Sequence, residues 1–98
     1  MKPKKLAKVM KALSNENRLA LYLEIAKQEQ ANYETSECSI TNIVRMFDLS
    51  KATISHHLKE LSNADLITTE RRGKFLVATI NKDTLAEVKG VLGELIEA

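Results

Sequence analysis

The chain has 98 residues, the length of one domain, and its 44% hydrophobic and 29% charged residues are ordinary globular values that speak against disorder. No apolar run reaches the length of a membrane span, and Lys8 and Lys11 interrupt the basic N-terminal stretch where a signal-peptide core would lie; no membrane partner and a cytoplasmic setting are therefore expected. The net charge of +2 is unevenly spread: residues 2–11 hold five lysines and no acid, residues 51–82 six bases against Glu60, Asp65 and Glu70, and residues 83–98 four acids against Lys89.

In chain order, Leu6, Val9, Met10 and Leu13 fall on one stripe of a helix over about Pro3–Leu13, with Pro3 suited to its first turn. Ser14 and Asn15 can cap a second helix from Asn17 to about Lys27. Its expected inner face is Leu19, Tyr22, Leu23 and Ala26, widened by Leu21 and Ile25. The polar, aperiodic stretch QEQANYETSE reads as a loop. Ser39 is expected to open a third helix carrying Ile40, Ile43, Val44 and Phe47. Asp48-Leu49-Ser50 is a tight break plugged by Leu49, and Ser50 caps a fourth helix through about Asn63 whose apolar positions are Ile54, Leu58 and Leu61. LITTERRGKFLVATI reads as a two-stranded β-hairpin reversing at Arg72-Gly73. Asn81 or Asp83 starts a last helix with Leu85, Val88, Leu92 and Ile96 on one face. The expected fold is mainly α with one hairpin, in the order α-α-α-α-β-β-α of a winged helix-turn-helix, as a single domain over residues 1–98.

Two stretches, KALSNENRLALYL at 11–23 and LSKATISHHLKELSNADLITTERRGKFLVATI at 49–80, resemble the ArsR-type family of bacterial repressors. The second carries the more specific match: a short cap, Ser55, His57 and Leu58 in a Ser-x-His-Leu pattern, Leu61, and a basic hairpin with Arg71, Arg72 and a Gly73 tip. The resemblance implies a repressor that binds double-stranded DNA as a homodimer joined through its first and last helices. On that reading Leu6, Val9, Met10, Leu85, Val88, Leu92 and Ile96 line the dimer interface. The chain departs from the family in three ways. Asp65 stands where a glycine is usual, a position Asp tolerates in left-handed backbone. The loop before the third helix is longer than usual. The metal ligands of the metal-sensing members are missing: Ser39 and Thr41 occupy the positions of a Cys-x-Cys pair, Cys38 lies one residue off, and the last helix has carboxylates but no histidine. No metal response and no cofactor are expected.

With Ile54, Leu58 and Leu61 facing inward, the fourth helix turns out Lys51, Ala52, Ser55, His56 and Lys59, with Thr53 at the margin. By pattern alone this is equally a solvated surface; the resemblance makes it the helix that enters the major groove. His57 borders the core and is expected to be packed and hydrogen-bonded. Arg71, Arg72 and Lys74 surround the hairpin tip and suit phosphate or minor-groove contact. The N-terminal lysines read equally as phosphate contacts or as a solvated face. Ala86, Gly90 and Gly93 form a small-residue face, explained either by close approach of a partner helix or by a helix that ends near Gly90. Cys38 reads as a hydrophobic staple against Ile43, with a redox-sensing thiol as the sharper alternative. Ser55 and His56 are adjacent on a helix and cannot face each other, and no phosphate-binding glycine loop is present, so catalysis is rejected. The competing readings are a thiol-switched repressor and a winged helix used for protein–protein contact. The effector is not legible in the sequence.

Overall fold

A computed structural model describes residues 1–31, 38, 39, 43, 47–73 and 75–97. Helix α1 spans Pro3–Leu13 and begins on its proline. It ends at Ser14, whose hydroxyl donates to the Lys11 carbonyl at 2.7 Å. Of its apolar stripe, Val9 is only 1% exposed. Val9 therefore belongs to the core of one chain and has no surface left for a partner, which corrects its expected place in a dimer interface.

Helix α2 spans Glu16–Ala31 and is capped by Asn15, whose side-chain oxygen accepts the Arg18 amide at 3.0 Å. It runs four residues past the expected end at Lys27. Three of these four residues are polar, but Gln, Glu and Ala are all good helix formers. Gln28 Nε2 also donates to Glu24 Oε1 at 3.0 Å, one turn back. The buried face is Leu21, Tyr22 and Ile25, whereas Leu23 is 59% exposed and Leu19 is exposed too. The buried face is thus rotated from the expected one: apolar residues occupy more than one side of this helix, so periodicity alone does not select the side that packs.

Strand β1, Cys38–Ser39, was not expected. It pairs antiparallel with β3, Cys38 opposite Ala78 and Ser39 opposite Val77. Ser39 is a strand residue here, not a helix cap, and the hairpin becomes a three-stranded sheet in the order β1-β3-β2. Two residues cannot show an alternating pattern, and their partner lies some forty positions away, so no local signal announces them. Of the expected third helix, Ile43 is helical and fully buried, while residues 40–42 and 44–46 lie outside the described residues. Leu49 packs partly buried against the core, as its role of plug requires.

Helix α3, Lys51–Asn63, is capped by Ser50, which accepts the Thr53 amide at 3.1 Å. Ile54, Leu58 and Leu61 are buried beneath it. It ends in a Schellman motif: the Asp65 amide donates to Ser62 and the Leu66 amide to Leu61, each at 3.0 Å, with Asp65 at φ +58°. Asp65 takes the left-handed conformation expected at that position. Such a backbone costs a non-glycine residue on the order of 1 kcal/mol, less for Asp than for branched residues. Asp65→Gly is therefore expected to raise the thermal midpoint slightly, and Asp65→Val to lower stability by about 1–2 kcal/mol. A calorimetric scan in which both variants melt alike would contradict this account.

Strands β2, Ile67–Arg72, and β3, Phe75–Ile80, form the hairpin, with Ile67 opposite Ile80 and Arg72 opposite Phe75. Gly73 turns the tip at φ +62°. Helix α4, Lys82–Glu97, starts where Asn81 accepts the Thr84 amide. It continues through Gly90 and Gly93, so it does not end near Gly90. A Cβ at either glycine would meet nothing within 4 Å. Val88 packs partly against the core; Leu85, Leu92 and Ile96 are exposed, Leu92 by 42% and Ile96 by 85%. Lys5 of α1 and Glu87 of α4 stand 3.8 Å apart, an exposed ion pair between the first and last helices. Among the described residues no helix is long and apolar enough to cross a membrane.

Candidate nucleic-acid interface

The core fixes which side of α3 faces out. With Ile54, Leu58 and Leu61 held against β2 and α2, the side chains of Lys51, Ala52, Ser55, His56 and Lys59 are exposed along one face. Thr53 is half-buried, and its hydroxyl lies 2.8 Å from that of Ser50, so it completes the cap as well as bordering the face. A groove of about 290 Å³ runs between this helix and the hairpin, lined by Ser55, Lys59, Ser62 and Asn63 on one side and Thr69 on the other. Ser62, Asn63 and Thr69 were not singled out in the sequence. Each is an ordinary polar surface residue there, and only the packing of hairpin on helix brings them together.

The hairpin presents Arg71 and Arg72, both exposed. Arg72 donates to Glu70 Oε2 at 3.3 Å, two residues back on the same face of β2. Lys74 lies outside the described residues.

His57 is buried, 5% exposed, as its position bordering the core requires. Its partner is Arg18, whose Nε donates to His57 Nδ1 at 3.3 Å. The same guanidinium donates to the Ala12 carbonyl at 3.1 Å, so Arg18 joins the end of α1, the start of α2 and the middle of α3. Burial foremost, then the Arg18 charge and then His56, push the His57 imidazole below its usual value of 6.5. Sequence reading missed Arg18. The available signal was a charged residue in register with Leu21, Tyr22 and Ile25, the stripe that proves to be buried.

Among the described residues no three His, Cys, Asp or Glu side chains are grouped so as to hold a metal ion. Ser39 and Cys38 lie paired on β1 rather than at a helix start, and Thr41 lies outside the described residues.

A helix with a buried apolar side and a polar, basic outer side, followed at once by a basic hairpin packed against it, is the arrangement of a winged helix-turn-helix domain, the fold of many DNA-binding transcription regulators. The chain belongs to the arsR family of bacterial regulatory proteins, whose family model matches residues 33–69. It is 33% identical over 84 residues to the arsenical resistance operon repressor of Bacillus subtilis (strain 168), covering 86% of this chain and 70% of that one. Its fold is similar to the crystal structure of an ArsR family transcriptional regulator at a TM-score of 0.80 and 20% identity, over 99% of this chain and 92% of the other. It is also similar, at a TM-score of 0.69 and 21% identity, to a homodimeric winged helix-turn-helix DNA-binding domain from Mycobacterium bovis, over 96% of this chain and 80% of that one.

Proposed function

We propose that this chain represses transcription in the cytoplasm as a homodimer that occupies a palindromic operator, each protomer acting as one winged-helix domain. The observation that carries this reading is the outward face of α3, with Ser55 and His56 at its centre and Lys51 and Lys59 around them, set beside the Arg71–Arg72 hairpin. Short polar groups read base edges in the major groove; arginines on a hairpin hold phosphates. The dimer is supported by the exposed apolar residues of α4, by Met10 of α1, and by the open space beside Gly90 and Gly93. A two-fold dimer presents two α3 helices and so favours a site with matching two-fold symmetry. Selection of bound duplexes from a random-sequence library tests the reading: an inverted repeat is expected, and recovery of no enriched sequence would overturn it.

Release of DNA is proposed to be independent of soft metals and of arsenite. Ser39 and Thr41 offer neither thiolate nor imidazole, the ligands that soft metals require. Titrating zinc, cadmium or arsenite into the protein–DNA complex is expected to leave it intact; stoichiometric binding with release of DNA would refute the point.

A further inference from the structure

We propose that Arg18 is a positioning residue for DNA recognition: anchored on the Ala12 carbonyl, it fixes α3 through a neutral His57, and its hold is released when His57 takes a proton. The proposal rests on the reading that α3 contacts DNA, and it concerns how that helix is held rather than what it touches.

Donors and acceptors fix the protonation state. A guanidinium has five N–H donors and no acceptor, so Nδ1 of His57 must be the acceptor in the 3.3 Å hydrogen bond. His57 is then neutral, with its proton on Nε2. A second donation, to Ala12 at 3.1 Å, prevents Arg18 from swinging freely. One side chain from the α1–α2 corner therefore sets the depth of α3 at a point one residue from His56 and two from Ser55.

Protonation reverses the interaction. Two N–H groups would face each other, the hydrogen bond would break, and two cations would meet where His57 is almost wholly shielded from water. His56 adds to the repulsion, its ring centroid lying 6.1 Å from that of His57. Among the described residues, the charges acting on His57 are Arg18, from α2, and His56, on its own helix. From α1 and β2, which also pack against α3, no charged group among the described residues acts on it. All the causes push the same way, so the folded chain binds fewer protons here than the unfolded one. The stabilisation is complete above 6.5 and is lost as pH falls below it through the lower folded value. The ratio of target to scrambled affinity, not affinity itself, reports on the Arg18–His57 bond.

The test uses the full chain, a duplex selected by the wild type from a random library, and a scrambled duplex of equal composition. Nitrogen NMR of His57 in the free protein is expected to show the Nε2–H tautomer at about pH 7.5. As pH falls from about 7.5 through the protonation of His57, followed by the same nitrogen signals, the wild-type ratio is expected to fall about tenfold, the scale of one broken hydrogen bond to a charged group. His57→Asn places a non-titrating carbonyl oxygen near the site of Nδ1, and its ratio is expected to stay nearly constant over that range. Arg18→Met is expected to show the low ratio at both ends. An Nδ1–H tautomer, a pH-independent wild-type ratio, or a full ratio in folded Arg18→Met would each overturn the proposal. If Arg18→Met does not fold, the tautomer and His57→Asn decide it. If the wild type selects no sequence, the reading of α3 as a DNA-contacting helix has failed; the Arg18–His57 bond is then judged separately, by the tautomer and by the pH dependence of the α3 amide signals.

Discussion

Leu92→Glu is expected to convert the protein to folded monomers and to remove nearly all binding to its selected duplex. Leu92 is 42% exposed within one chain and lies outside the core, so the variant keeps its tertiary structure. In a dimer closed through α1 and α4 the same side chain meets the partner. Two-fold symmetry introduces the substitution twice in one interface. Each copy forfeits about 1.5–3 kcal/mol of apolar burial and must desolvate a carboxylate, at a further cost of several kcal/mol. Glu87 and Glu94 on the same helix add like charge. A monomer grips one half-site instead of two, so affinity is expected to drop by about 10²–10⁴. Sedimentation that finds an intact Leu92→Glu dimer would refute the interface.

The second large effect separates reading from holding. Combined Ser55→Ala and His56→Ala is expected to weaken the selected duplex by about 1–3 kcal/mol for each base edge that is no longer read, and to leave scrambled DNA nearly unchanged. Both side chains are exposed, so circular dichroism and melting should match the wild type. Arg72→Ala is expected to do the reverse. It weakens both duplexes alike and flattens the slope of log affinity against log salt by about 0.9 for each phosphate no longer neutralised. Affinities for the two duplexes across a salt series distinguish the cases. A double variant that keeps the full specificity ratio shows that α3 is not the reader, and an unchanged salt slope in Arg72→Ala shows that the hairpin does not touch phosphate.

What the residues disclosed in advance, and what they did not, follows the range of the forces involved. The Ser50 cap, the break at Leu49 and the hairpin were legible because each is decided within a few residues, and the left-handed Asp65 followed from the family resemblance. The outer face of α3 was legible because Ile54, Leu58 and Leu61 define one buried side without ambiguity. Helix α2 offered apolar residues on two sides, and only packing chose between them, which put Leu23 outside and left the partner of His57 unnoticed. Strand β1 exists only because β3 is there to pair with it. Val9 lay on the expected stripe, but the stripe is shared between the core and the surface, and the pattern does not mark the division.

The pairing of Arg72 with Glu70 bears on how such a protein finds its site. A regulator in a cell meets vastly more wrong sequence than right, and its search is limited by the time spent lodged at each wrong place. An exposed ion pair is worth about 0.2–1 kcal/mol, so an arginine that must leave a carboxylate to take a phosphate loses at most roughly fivefold in grip. That discount falls on every stretch of DNA alike. On the proposed reading, the bonds made by the helix outweigh it at the correct site, and elsewhere it shortens each stop. Glu70 would then trade a little tenacity for a faster scan, the acid in an otherwise basic hairpin acting as a lubricant for travel along the duplex.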